Sequence, residues 1–258
     1  MNNSNLLQAA GMFFIPFLVV VVSILIGQYW GLYNLKKSAD IKHEQVGSVV
    51  GAVFALLAFM LAFTFQIAAN RFDSRKELLL EEVTNIRTTY LRAGLLPEPF
   101  RSDTKELLVE YVELRIQLAN DFSKLNAAMS RSQQILNRLW SFTETLAAQD
   151  RSSEVYAMYT GSVNDLVDNY NQRITMTLEY RIPAVVLWIL IIMTVISMIT
   201  LGYQLGISGK GSFKINMLLA VVFALVMFLI LALDYPEKGM AKLNQKPMLT
   251  LQKQLQGQ

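Results

Sequence analysis

The sequence contains no cysteine and a single histidine, His43, among its 258 residues. Without cysteine, the chain forms no disulfide and offers no thiolate nucleophile, iron–sulfur site or cysteine-based zinc site. One histidine also excludes a metal site built from several imidazoles. Nucleophile elbows, Walker loops and glycine-rich dinucleotide turns are missing as well. We therefore expect neither an enzyme nor a bound cofactor.

Charged residues are scarce too, at 17% of the chain against 53% apolar residues. The net charge of +3 does not mark a nucleic-acid surface, because residues 70–181 carry 14 Lys and Arg against 16 Asp and Glu. The remaining nine basic residues are lysines that flank or trail the apolar runs, as is common in membrane proteins. Nucleic-acid binding is not expected.

Four long apolar runs dominate the sequence, and none of them contains Asp, Glu, Lys, Arg or His. Each run reaches the roughly 20 residues that a helix needs to cross hydrocarbon. The runs are Met12–Trp30, Val46–Ala69, Pro183–Tyr203 and Ile215–Leu233. We expect an all-α integral membrane protein whose four spans form two hairpins in the lipid bilayer.

A polar insert of more than a hundred residues separates the two pairs of runs. Because Asn70–Ala93 contains no glycine or proline, the second span should continue into the insert as one helix, and Pro97 and Pro99 should end it. The predicted domains are a first hairpin at 1–69, an extramembrane helical bundle at 70–181, a second hairpin at 182–233 and a C-terminal tail at 234–258.

Capping patterns predict where the later helices of the insert begin. Three starts are expected, at Asp103 with Glu106, at Ser130 with Gln133, and at Ser152 or Ser153. The last helix should run on toward the third span, where Pro183 either kinks a continuous helix or begins a new one. The pair Glu81–Glu82 is expected on a solvated face, and the glutamine-rich last dozen residues are expected to form a loose tail.

The second run carries a stripe of mostly small side chains at steps of three and four residues, which places them on one helix face. Two interpretations remain open: a packing seam with another span or another subunit, or the lining of a pore. In a pore, Gln66 and Asp73 would form the constriction toward the insert, with His43 and Ser48 at the opposite mouth. The stripe comprises Gly47, Gly51, Ala55, Ala58, Ala62, Gln66, Ala69 and Asp73.

The spans lack the buried carboxylate or histidine that proton-coupled transporters usually need, so passive conduction is favoured over active transport. Asp234 follows the fourth span and is expected to accept a hydrogen bond from a neighbouring helix start or to pair with a basic residue. Pro236 and Gly239 are expected to shape the turn after it.

Taken in order, several segments resemble the bestrophin-like family of bacterial four-span membrane proteins, which is named for a relation to bestrophin anion channels. The resemblance covers nearly the whole chain and implies the same architecture and a channel-type function. The acidic calcium-binding cluster and aromatic neck of bestrophins are not found in this sequence. The segments are His43–Gly47, Arg71–Asp73, Glu81–Glu82, Leu96–Pro97, Ile182–Pro183 with Leu187–Trp188, and Leu233–Asp234 with Pro236 and Gly239.

Basic residues give opposing indications of orientation. Lysines in the first loop favour a cytoplasmic loop and a periplasmic insert with both termini. Arg71, Arg75 and Lys76 after the second span favour a cytoplasmic insert instead. The resemblance to bestrophins also implies a cytoplasmic insert. Two functions fit this architecture: a homo-oligomeric channel for inorganic ions in the bacterial inner membrane, and a non-conducting scaffold or sensor that acts through its helical bundle.

Overall fold

The structure is a computed structural model that describes residues 3–37, 43–209, 213–235 and 241–257. Within these ranges the regular structure is helical and contains no strand, so the all-α class is confirmed. A single 3-10 turn, Phe122–Lys124, joins the third and fourth α-helices. The α-helices are α1 (Asn3–Lys37), α2 (His43–Ala93), α3 (Phe100–Asn120), α4 (Leu125–Gln149), α5 (Glu154–Leu178), α6 (Ala184–Ser208), α7 (Phe213–Asp234) and α8 (Lys246–Gln256).

The chain divides into two compact units. One, here called the membrane unit, comprises Met1–Phe72 and Arg181–Lys242, and the other, the insert unit, comprises Asp73–Tyr180 and Leu243–Gln258. Four helices, α1, α2, α6 and α7, are long and apolar enough to cross a bilayer. The expected continuous second helix is confirmed, because α2 runs unbroken from His43 to Ala93 and contributes to both units.

Within the membrane unit, α1 packs against α6 and α7. The buried side chains of this unit come from all four of its helices, with Val20, Leu57, Leu190 and Phe223 as one example from each. A second small cluster joins α2 to the start of α6 and the end of α7 through Ala68, Ile182 and Ile230.

The insert unit has its own apolar core, to which α3, α4, α5, α8 and the distal part of α2 contribute. Apolar residues at helical spacing face this core, as in the α4 series Ile135, Leu139 and Leu146. Buried tyrosines keep their hydroxyls hydrogen-bonded: that of Tyr159 lies 2.9 Å from the Thr104 hydroxyl. Such partners offset the cost of burying a polar group.

Two of the three expected helix starts are wrong. The helix α3 begins at Phe100 after Pro99, so Asp103 lies within its first turn, and α4 begins at Leu125, ahead of Ser130. The third is confirmed at Ser153, whose side chain accepts a hydrogen bond from the Tyr156 backbone N–H at 3.3 Å. A capping pattern within a helix is indistinguishable in sequence from one at its start, because the same residue types also occur on solvated helix faces.

The start of the third span is also defined. The helix α5 ends at Leu178 and α6 begins at Ala184 with Pro183 just before it, so the two are separate helices. The break at Pro97 and Pro99 is confirmed as well, since neither α2 nor α3 includes these residues.

The expected loose tail is wrong, because Lys246–Gln256 forms α8. Its residues Met248, Leu251 and Leu255 follow helical spacing and are buried in the core of the insert unit. The Tyr90 hydroxyl donates to the Leu255 carbonyl oxygen at 3.3 Å. The high glutamine content hides this pattern, since three buried apolar residues among eleven suffice to dock a short amphipathic helix.

The expected solvated position of Glu82 is wrong, whereas Glu81 is exposed. Glu82 lies on the buried face of α2, where it accepts a hydrogen bond from the Tyr111 hydroxyl at 2.7 Å. It also forms ion pairs with Arg115, whose Nε lies 3.1 Å away, and with Arg173. Burial raises the pKa of Tyr111 to about 12, so its hydroxyl keeps the donated proton. Burial lowers the pKa of Arg173 to about 10, which leaves the guanidinium charged at neutral pH.

Replacing Glu82 with alanine should destabilise the insert unit, because two guanidinium groups lose their buried carboxylate. Removing one member of a buried ion pair costs about 3–5 kcal/mol. Glu81→Ala, one position away on the same helix, should change stability little because that side chain is exposed. Thermal unfolding of the full chain in detergent, followed by circular dichroism, measures both; equal effects would contradict the assigned role of Glu82.

Candidate pore-lining or packing face

The small-residue stripe of α2 lies mostly on the surface of the membrane unit. Two of its members are partly buried, Gly47 and Ala69, and the others are exposed. The exposed members are Gly51, Ala55, Ala58, Ala62, Gln66 and Asp73.

On the stripe itself, a Cβ atom added at Gly47 would lie 3.3 Å from the Gln204 side chain of α6. The opposite face of α2 carries the residues that are buried in the membrane unit. Leu57, Thr64 and Ala68 are buried there, and the Thr64 hydroxyl donates to the Met60 carbonyl oxygen at 2.7 Å. A Cβ atom added at Gly51 would meet no atom within 4 Å. The exposed part of the stripe is therefore free to contact lipid, water or another copy of the chain.

Polar groups mark both ends of the stripe. Toward the insert, Gln66 Nε2 donates to Asn70 Oδ1 at 2.6 Å, one helical turn on, and Asp73 is exposed beyond them. Toward the other end, Ser48 is exposed and His43 is the first residue of α2. Asn70 also belongs to this polar end, although it is not part of the stripe identified from the sequence. Its position four residues after Gln66, on the same side of the helix, is the sequence feature that indicates the contact.

A close contact between two helices of the membrane unit is made by glycines that the sequence analysis does not single out. A Cβ atom at Gly27 or Gly31 would lie 2.1 Å from the Ile199 or 2.4 Å from the Tyr203 carbonyl oxygen, respectively. On the facing helix, a Cβ at Gly202 would lie 2.2 Å from the Ile24 carbonyl oxygen.

Such distances exclude any side chain, so the backbones of α1 and α6 touch. We call Gly27, Gly31, Gly202 and Gly206 the glycine seam. Two glycines four residues apart on each helix are the known signal for close helix packing in membranes. That signal is present in the sequence, with Gly31 and Gly206 just beyond the ends of the two apolar runs. It identifies a seam between α1 and α6, separate from the stripe of α2.

Asp234 has the structural contact that was expected of it. The backbone N–H of Ile182, just before α6, donates to Asp234 Oδ1 at 3.1 Å, so the end of α7 is tied to the start of α6. The guanidinium of Arg181 lies 4.5 Å from the centre of the Tyr235 ring. The expected turn at Pro236 and Gly239 lies outside the described residues.

The part of the chain that the structure describes contains no group of three His, Cys, Asp or Glu residues placed to hold a metal ion. What the stripe offers is a surface of small side chains with hydroxyl, amide and carboxylate groups at its ends. Small side chains of this kind occur both at close helix contacts and along pores.

Comparison with known proteins adds a family and a fold. The family model of the Bestrophin-like domain matches residues 11–248. No curated protein matches the chain. Solved structures of a bacterial bestrophin homologue from Klebsiella pneumoniae are similar in fold.

A variant of that homologue with a tryptophan replaced by alanine gives a TM-score of 0.69 at 14% identity, over 95% of this chain and 98% of that chain. A tyrosine-to-alanine variant gives 0.66 at 16% identity, over 95% and 99%. The homologue solved by zinc phasing gives 0.65 at 14% identity, over 93% and 97%.

Gly202→Ala should destabilise the membrane unit, because its Cβ would clash with the α1 backbone. Overpacking of this kind costs about 1–3 kcal/mol. Gly51→Ala should be neutral or stabilise by up to about 1 kcal/mol, since its Cβ meets open space and alanine favours the helix. Thermal unfolding in detergent compares the two, and a tolerated Gly202→Ala would contradict the glycine seam.

Proposed function

Because the chain belongs to the bestrophin-like family, we propose that it is a homo-oligomeric ion channel of the bacterial inner membrane, with α2 lining the pore. The observation that supports this proposal is the stripe of α2, six of whose eight members are exposed in a single copy. A membrane helix with a free, small-residue face suits a position around a shared axis.

In the proposed assembly, the four spans of each copy form two hairpins in the bilayer and the helical insert lies outside it. The partners of the chain are lipid, further copies of itself and inorganic ions. The protein conducts ions and needs no cofactor to do so. In this assembly the insert units form a vestibule that admits ions.

The stripe provides a graded path for an ion. Ser48 and His43 lie at one mouth, and the alanines from Ala55 to Ala62 form an apolar middle section that is wide because the side chains are short. Gln66 and Asp73 then form the polar constriction toward the insert. Rings of polar side chains are one of the means by which channels select ions.

Large apolar side chains lie beside the stripe on α2 and are also exposed. Leu56, Phe59 and Phe63 are between 51% and 66% exposed in a single copy. They offer contact area for a neighbouring copy or for lipid, while the stripe stays free for the axis. The absence of ionisable side chains in the four apolar runs favours passive flow of ions down their gradient.

The loop-charge rule orients the insert and both termini toward the periplasm. This orientation follows from the lysines of the first loop and the absence of Lys and Arg before the first span, since basic short loops stay in the cytoplasm.

Ala62→Trp should lower ion flux in reconstituted liposomes by at least about tenfold, because an indole from every copy would narrow the apolar section of the pore. The side chain of Ala62 is exposed in a single copy, so the substitution should leave the membrane unit folded. Leu56→Trp places the same indole at an exposed position outside the stripe and should leave the flux near that of the wild type.

Equal flux in the two variants would contradict a pore lined by this face. A wild-type protein that passes no ions at any pH or voltage would favour the scaffold, in which the spans only anchor the insert unit.

Orientation can be measured by thiol labelling, because the chain has no cysteine of its own. In intact cells, Ala148→Cys on the exposed surface of α4 should react with a membrane-impermeant maleimide. Ser38→Cys in the first loop should react only after lysis. The reverse pattern would place the insert in the cytoplasm.

A further inference from the structure

A groove of about 400 Å³ lies on the membrane unit between α1, α6 and α7. Its rims include Ile15 and Ile191, which are 65% and 37% exposed, and its floor includes Phe223 and Met227, which are 7% and 6% exposed. The groove is therefore open at these rims and closed at its base. Its volume is within the roughly 300–1,000 Å³ of ordinary ligand sites.

The lining of the groove has almost no hydrogen-bonding capacity. Thr194 is the one lining residue with a polar side chain, and its hydroxyl already donates to the Leu190 carbonyl oxygen at 2.7 Å. A polar ligand would lose its hydration without gaining partners there. Because the rims open at membrane depth, where the solvent is hydrocarbon, the chemistry that fits this groove is an aliphatic chain.

One end of the groove lies close to the insert-side boundary of the spans. Leu187 belongs to the first turn of α6 and Leu231 to the last turn of α7. Just beyond that end, Arg181 precedes α6 and stacks on Tyr235, which follows α7. Arginine and tyrosine side chains are typical of the depth at which lipid headgroups lie, and a guanidinium there attracts anionic headgroups.

We infer that this groove binds one acyl chain of an anionic phospholipid from the leaflet on the insert side, with the lipid phosphate beside Arg181. The apolar groove matches the acyl chain of the lipid. The guanidinium of Arg181, just beyond the end of the groove, matches the negative charge of the headgroup. Neither feature belongs to the stripe of α2, so this site is independent of the proposed pore.

Gly11 allows the groove to be filled without disturbing the unit. It lines the groove, and a Cβ atom added there would meet no atom within 4 Å. Gly11→Trp should therefore place an indole where the acyl chain would lie. Leu18→Trp is the matched control, because Leu18 is an exposed residue of α1 that does not line the groove.

The probes are phosphatidylglycerol and phosphatidylcholine with identical acyl chains, added to the delipidated full-length protein in detergent. Native mass spectrometry counts the bound lipid, and thermal unfolding measures the stabilisation. Wild type and Leu18→Trp should retain phosphatidylglycerol more strongly than phosphatidylcholine. Gly11→Trp should lose binding of both lipids at this site while unfolding at the wild-type temperature in the absence of lipid.

The headgroup half of the proposal is tested at Arg181. Arg181→Gln should lower phosphatidylglycerol binding about fivefold, the contribution of one basic side chain at a membrane surface. Phosphatidylcholine binding should stay the same. Arg181→Lys should restore most of the preference, because it retains the charge; a loss that lysine fails to rescue would mean that Arg181 acts through packing, and the headgroup assignment would be wrong.

Two results would overturn the groove as a lipid site. The first is equal lipid binding by Gly11→Trp and Leu18→Trp. The second is a smaller oligomer in Gly11→Trp with unchanged lipid binding, which would make the groove a contact between copies of the chain.

Discussion

The membrane unit depends on the direct contact between the backbones of α1 and α6. At the glycine seam, a carbonyl oxygen of one helix occupies the space where a side chain of the other would begin. Lipid is as apolar as the helices, so hydrophobic burial does not drive span association and close van der Waals packing has to supply it. The helices α1 and α6 are joined in this way, and α7 packs against α1. The helix α2 then packs on the unit through one face, and most of its stripe is left exposed.

The insert unit depends on a buried carboxylate, that of Glu82, at a core position where an apolar side chain would be expected. Glu82 joins α2 to Tyr111 and Arg115 on α3 and to Arg173 on α5. Hydrophobic packing tolerates small sliding of one helix on another, whereas a buried carboxylate held by a hydrogen bond and two ion pairs favours one register. The distal part of α2 is thereby held in one position within the insert unit.

Much of the fold could be predicted because its signals are local. Four runs without charge predict four helices able to span a bilayer, and two prolines predict the break after α2. The fate of Glu82 could not be predicted, since its partners lie far along the chain and only the fold brings them together. The capping pattern at Asp103 and Glu106 predicts the start of α3 three residues too late, because these side chains suit a helix face as well as a cap. For the stripe, the sequence predicts a shared helix face, but its neighbour depends on a second molecule.

The return of α8 to the insert unit has a consequence for biosynthesis. Met248, Leu251 and Leu255 complete a core whose other helices precede the third and fourth spans. During translation, the insert helices leave the ribosome well before α8 exists, so this core stays open while α6 and α7 enter the bilayer. The core of the insert unit can therefore be completed only after the last two spans have been synthesised. A nascent chain stalled before α8 would expose apolar surface to chaperones and proteases.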